Sequence, residues 1–234
     1  MKTTNQFVDK QRRSIGLLCL LSVLLLGARI KLTHEFFMLF LIWNLFLAFI
    51  PWLISQSLDR YISQLQRKEL KWSHHGILLG ATLLWLAFLP NAPYIITDLI
   101  HIRHIQGPWL IYEILMIASF GITGTYLAFQ SLREIQIILQ WAGWLPSHLW
   151  KRMFSLLVLC LCSLGIYIGR VLRYNSWDLI TQPQSLLRDM VRLIGFPRQN
   201  LSAWLMIASM SLFLCLSFIV FQKQTTHHDT SKIQ

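Results

Sequence analysis

An all-α, polytopic membrane fold is what this sequence predicts, and three observations predict it. Of its 234 residues 55% are hydrophobic, with a mean hydropathy of +0.51. Only 13% are charged, about half the ~25% of an ordinary soluble domain. Apolar runs long enough to cross a hydrocarbon layer recur along the chain, with basic residues at their ends. The expected architecture is a helical bundle of about six transmembrane helices plus short interfacial helices, forming a single transmembrane domain over residues 14–221.

The first span follows a polar, basic stretch over residues 1–13 (Lys2, Lys10, Arg12, Arg13). Its apolar run from Ser14 to Ala28 resembles a signal peptide, but the spans that follow favour an uncleaved helix near 14–32. Arg29 and Lys31 are expected to snorkel from its end to the interface. The second span, near 36–54, carries Pro51 in its last turn and Trp52 at the interface. Leu58, Ile62, Leu65 and Glu69 then share one helical face of a basic segment, a helix lying on or leaving the membrane. The third span, near 76–89 and extended by His74 and His75, runs into Pro90-Asn91-Ala92-Pro93. Each proline lacks an amide hydrogen and clashes with the preceding turn. The helix is therefore expected to stop, and a new one to start near Tyr94.

The fourth span, near 109–129, is opened by Pro108 at a helix N-terminal position. Trp141, Trp144 and Trp150 mark the next segment as interfacial. The fifth span, near 153–169, ends with Gly165 and Gly169 four apart, a spacing that permits close helix contact. Leu186, Leu187, Met190, Val191 and Ile194 lie among Arg188, Asp189 and Arg192, the pattern of an amphipathic helix ended by Gly195. The sixth span is near 201–221, and the polar tail 222–234 is expected to be disordered. Cys19, Cys160, Cys162 and Cys215 all sit in apolar runs without metal spacing, as small buried hydrophobes.

The formal net charge of +11 would suggest nucleic acid in a soluble protein. Here the charge clusters at span ends, which fits topology control and anionic headgroups, with membrane lipids as partners and no nucleic acid. Thirteen Lys and Arg fall on the side of both termini and eight on the other, so both termini are expected in the cytoplasm. With six spans, the third and fifth loops share a side whichever way the protein is inserted.

Those two loops carry the candidate site. Asp98 and His101, three apart, fall on one face of a helix starting near Tyr94. On an α-helix His104 lies about 120° from Asp98, so a metal-binding face is imperfect, and neither metal nor cofactor is expected. Arg170 and Arg173, also three apart, are expected to face one way, as snorkelling side chains or as a guanidinium pair for a carboxylate or anionic headgroup. Asn175-Ser176 offers a helix N-cap with Asp178 in its first turn. Asn91, Asp98, His101, Arg170, Arg173, Asn175 and Asp178 are the candidate ligand-binding residues. His34, Glu35, Glu113 and Glu134 read as solvated span-edge charges. No hydrolase, nucleotide-binding or zinc-protease motif occurs, so no catalytic residue is assigned.

The strings FLPNAPYIITDLIH and GIYIGRVLRYNSWDL together resemble the bacterial membrane-protein family known as domain of unknown function 1361. The resemblance covers the chain from about the second span to the sixth. It implies a small multi-span protein of the bacterial inner membrane and carries over no activity and no residue role.

Two functions remain open on the sequence. In one, the third and fifth loops bind an anionic or lipid-like ligand, such as an envelope precursor, as a transporter or enzyme would. Arg170 and Arg173 would hold the anion, Asp98 and His101 would handle protons, and Asn91 and Asn175 would orient groups. In the other, the protein is accessory or structural, and the same charges form an ion-pair lock between helices. The sharpest expectation places Asp98 within salt-bridge reach of Arg170 or Arg173.

Overall fold

In lipid every backbone polar group must be satisfied internally, and continuous apolar runs of spanning length do so as α-helices. The structure, a computed structural model, describes residues 2–65, 71–104, 109–174 and 177–230 and is all-α, with no strand among them. Six helices are long and apolar enough to cross a membrane, over Arg13–Thr33, Phe37–Ser63, Trp72–Ile102, Trp109–Trp141, His148–Arg170 and Leu201–Gln224. The elements are α1 (Lys2–Thr33), a 3-10 turn (Phe37–Leu39), α2 (Phe40–Ser63), α3 (Trp72–Phe88), α4 (Asn91–Tyr94), a 3-10 segment (Ile95–His104), α5 (Trp109–Trp141), α6 (His148–Arg170), α7 (Asp178–Thr181), α8 (Pro183–Gly195) and α9 (Leu201–Thr230). They form two compact units, Met1–Gln64 with Asn91–Glu134, and Leu65–Pro90 with Ile135–Gln234. The boundary at Pro90 and Asn91 coincides with the break in the third span.

Several spans outrun their apolar stretches. Pro51 is not in the last turn of α2 but inside it, with three further turns beyond. Proline there leaves the Leu47 carbonyl without its helical donor, a loss that membrane helices tolerate when neighbours compensate. Leu58 and Ile62 are buried as their spacing predicts, but they belong to the same helix as the second span, which ends at Ser63 before Leu65; Glu69 lies outside the described residues. Helix α5 runs to Trp141, about three turns past the expected end. Its Gln130, Ser131 and Gln136 are buried, so their polarity marks protein contact rather than exit into water. The position of Pro108 lies outside the described residues. At the C-terminus α9 continues to Thr230, where a disordered tail was expected from 222 onward. The expected amphipathic helix forms as α8, from Pro183 at its first position to Gly195.

In the first unit α4 and the 3-10 segment lie against α5 through two glycines. A Cβ on Gly124 would collide with the Ala92 carbonyl oxygen, and one on Gly121 would come within 3.0 Å of Ile96 Cγ1. Backbones approach this closely only where small residues allow it. Helix α1 is tied to α5 by Tyr112, whose hydroxyl donates to the Leu25 carbonyl at 2.5 Å, and by Ser22 and Thr123, whose hydroxyls are 3.3 Å apart.

In the second unit α3 meets α6 where Gly165 receives the Pro90 ring, with an ideal Cβ only 2.5 Å from Pro90 Cγ. One of the two glycines predicted to allow close contact therefore does so. Trp144 Nε1 donates to His75 Nδ1 at 3.0 Å with the rings stacked. Gln136 donates to the Ser155 hydroxyl and the Lys151 carbonyl, fixing the end of α5 to α6. Tyr167, Leu193, Ala203 and Ile207 form a buried cluster joining α6, α8 and α9.

Candidate functional site

The break at Pro90-Asn91-Ala92-Pro93 is present: α3 ends at Phe88 and no straight helix continues through Pro93. The restart differs from the expectation of an α-helix near Tyr94. A single α-turn begins at Asn91 itself, and Ile95–His104 then winds as a 3-10 helix. That change alters the register. At three residues per turn, positions 98, 101 and 104 eclipse one another, instead of drifting apart as they would on an α-helix. The side chain of His104 lies outside the described residues.

Asp98 is almost wholly buried, 1% exposed. Asn44 of α2 donates its amide to Asp98 Oδ2 at 2.8 Å, and His101 Nε2 stands 4.0 Å from Oδ1. The imidazole is half-buried between the rings of Phe37 and Phe40, 6.0 and 5.2 Å away. A carboxylate in an apolar span is costly unless its lone pairs are met, and Asn44 meets one oxygen with a neutral donor. Asn91 opens α4 and is half-buried. Asn44 is missing from the sequence reading because a lone asparagine in an apolar run has no spacing signal.

A second polar centre in this unit corrects two expectations. Arg29 does not snorkel: it is 4% exposed, and its Nε donates to Glu113 Oε1 at 2.5 Å. Its Nη2 reaches Glu35 Oε2 and its Nη1 the Glu35 carbonyl, both at 2.9 Å. Glu113 is 3% exposed and is no solvated boundary residue. Its Oε2 finds no hydrogen-bond partner among the described residues. Loop parity could have found this pair, since the end of the first span and the start of the fourth emerge on one side. Glu134 is likewise held rather than solvated, accepting from Ser55 at 2.5 Å and Gln56 at 2.6 Å.

The remaining candidates belong to the second unit. Helix α6 ends at Arg170, so Arg170 and Arg173 do not share a helical face as their spacing suggested. Arg170 is partly buried. Arg173 is exposed and holds a φ of +61°, the left-handed conformation usual at helix ends for glycine. Next to it, Tyr174 donates to Asp189 Oδ2 at 2.9 Å, and that hydrogen bond chiefly holds its phenol above the ordinary value near 10. Asp178 lies in the first turn of α7 as expected, buried, its Oδ1 accepting from Thr181 at 2.9 Å. The N-cap is Trp177, with no side-chain cap bond, in place of the predicted Asn175-Ser176. Asn175 and Ser176 themselves lie outside the described residues. The four cysteines are free, Cys162 fully buried and the others partly. Among the described residues no group of three or more His, Cys, Asp or Glu could hold a metal ion.

A family model described as "Protein of unknown function (DUF1361)" matches residues 43–217. The chain belongs to the DUF1361 family. Both quoted strings fall inside the match, as do Asn44, Asp98, His101 and Glu113, whereas Arg29 and Glu35 precede it. No curated protein and no solved structure matches the chain. With six apolar helices of spanning length, this member of the DUF1361 family is a multi-pass membrane protein.

Proposed function

We propose that this DUF1361 protein binds an anionic or lipid-like ligand, such as an envelope precursor, at a polar site on the extracytoplasmic face contributed by its third and fifth loops. It resides in the bacterial inner membrane with both termini in the cytoplasm. The observation that carries the reading is Asp98, 1% exposed within an apolar span and served by the neutral amide of Asn44 with His101 4.0 Å away. Ionisable groups at such depth default to functional roles. Asp98 and His101 hold and pass a proton, and Arg170 and Arg173 supply guanidinium groups for the anion. The assignment of the arginines rests on loop parity and charge in the sequence.

A second reading is supported by Arg29 and Glu113. This chain does use a buried ion pair to tie helices together, so Asp98 with Arg170 or Arg173 could serve an accessory protein as a lock. Asp98→Asn separates the two. The purified protein is analysed by mass spectrometry for retained lipids and phosphate-bearing precursors, and its melting is followed in detergent. A binding site predicts that Asp98→Asn and Arg170→Gln lose the retained molecule while melting stays unchanged. A lock predicts no retained molecule, a loss of about 3–5 kcal/mol for either single change because one buried charge is stranded, and recovery in the double variant.

A further inference from the structure

Helix α8 covers only part of its own apolar surface. Leu186 and Leu193 are buried, and Met190 packs partly on the cluster of Tyr167, Leu193, Ala203 and Ile207. At about 100° per residue a second apolar stripe lies beside the first: Leu187, Val191 and Ile194, which are 66%, 61% and 66% exposed. Phe196, just past the helix, extends it and is also exposed. Along the stripe's other edge run Arg188 and Arg192, one turn apart and exposed, with exposed Arg198 beyond. Asp189, the acidic residue of this helix, is engaged by Tyr174.

Depth follows from the partners. Tyr167 lies in the last turn of α6, and Ala203 and Ile207 lie in the first two turns of α9. Helix α8 is therefore held where two spans leave the apolar layer. Its C-terminal carbonyls are fixed there: Trp204 Nε1 donates to the Leu193 carbonyl at 3.2 Å, and Asn200 donates to the Arg192 and Phe196 carbonyls. An apolar stripe bordered by a basic row, at the edge of the hydrocarbon, has the chemistry of an in-plane lipid-binding helix.

We propose that α8 is an interfacial helix that docks anionic lipid of the leaflet on which the fifth loop emerges. Leu187, Val191, Ile194 and Phe196 enter the acyl boundary, and Arg188, Arg192 and Arg198 hold the phosphate-bearing headgroups beside it. Charge selects lipid over a neutral partner helix, since basic residues near a membrane surface favour anionic headgroups. The proposal does not depend on Asp98.

The test uses the full chain with Cys19, Cys160, Cys162 and Cys215 replaced by alanine and a melting profile matching the parent. A bimane label is placed at Val191→Cys, or at Ser185→Cys on the polar face as a control. The protein is set in nanodiscs of phosphatidylcholine with or without phosphatidylglycerol, with a shallow acyl-chain nitroxide on one lipid or the other. The expected result is strong quenching at 191 and weak quenching at 185. Nitroxide phosphatidylglycerol should be preferred at 191, and Arg188→Gln with Arg192→Gln should reduce that preference by about fivefold per charge. Equal quenching at the two positions, or no preference between the lipids, would overturn the proposal. So would a label at 191 shielded from both lipid nitroxide and aqueous iodide, which would identify a protein partner or a second copy.

Discussion

The two glycine contacts on either side of the break are built differently. On the side of the first unit, Gly124 faces the Ala92 carbonyl oxygen, a backbone atom in a one-turn helix between two constrained segments. On the side of the second, Gly165 faces the ring of Pro90, a side chain that can pucker. The first contact sets where α4 and the 3-10 segment lie along α5. The second sets how the end of α3 meets α6. A backbone neighbour cannot rotate away, so the same added methyl group should cost more at Gly124.

Gly124→Ala is accordingly the largest expected effect. It should exceed the usual ~1–3 kcal/mol of overpacking, seen as a collapse of monodisperse yield or a large drop in melting temperature in detergent. Gly165→Ala should cost about 1–2 kcal/mol, because overpacking against the ring is partly offset by alanine's better helix propensity. Equal losses at the two positions would break the comparison, because ring and carbonyl would then be equally immovable. Gly80→Ala sharpens it from the other side. Gly80 lies inside α3 with nothing within 4 Å of its Cβ position, so alanine there should be neutral or stabilise by up to about 1 kcal/mol. A destabilisation at Gly80 comparable to that at Gly165 would show that the losses measure glycine flexibility and not contact.

What the sequence made legible follows from what kind of signal each feature leaves. Continuous apolar runs leave a strong one, so all six spans, the all-α class and the amphipathic α8 were readable. The break was readable because Pro90 and Pro93 have fixed chemistry. The ends of α2 and α5 were not, because Ser55 and Gln56 on α2 and Gln130, Ser131 and Gln136 on α5 are polar residues that face protein, and periodicity alone cannot separate that from water. Asp98 and His101 were singled out for their charge, but the 3-10 winding that eclipses them leaves no pattern in the sequence; the backbone at its start packs on Gly121 and Gly124. Arg29 and Glu113 were seen singly and read as edges, since their partnership spans 84 positions of sequence. Asn44 carries no pattern at all.

That separation of 84 residues also has a consequence for the order in which the protein is made. Arg29 enters the membrane with the first helix, long before Glu113 has been translated, and a lone guanidinium at that depth is costly. Glu35, six residues downstream, reaches the same guanidinium with its carboxylate and its carbonyl and is synthesised almost at once. It can act as a temporary counter-ion that keeps the first helix inserted until the fourth span arrives. Glu35 would then matter most to a nascent chain and least to a finished one. Its loss should lower the amount of protein inserted while leaving the melting of whatever does insert nearly unchanged.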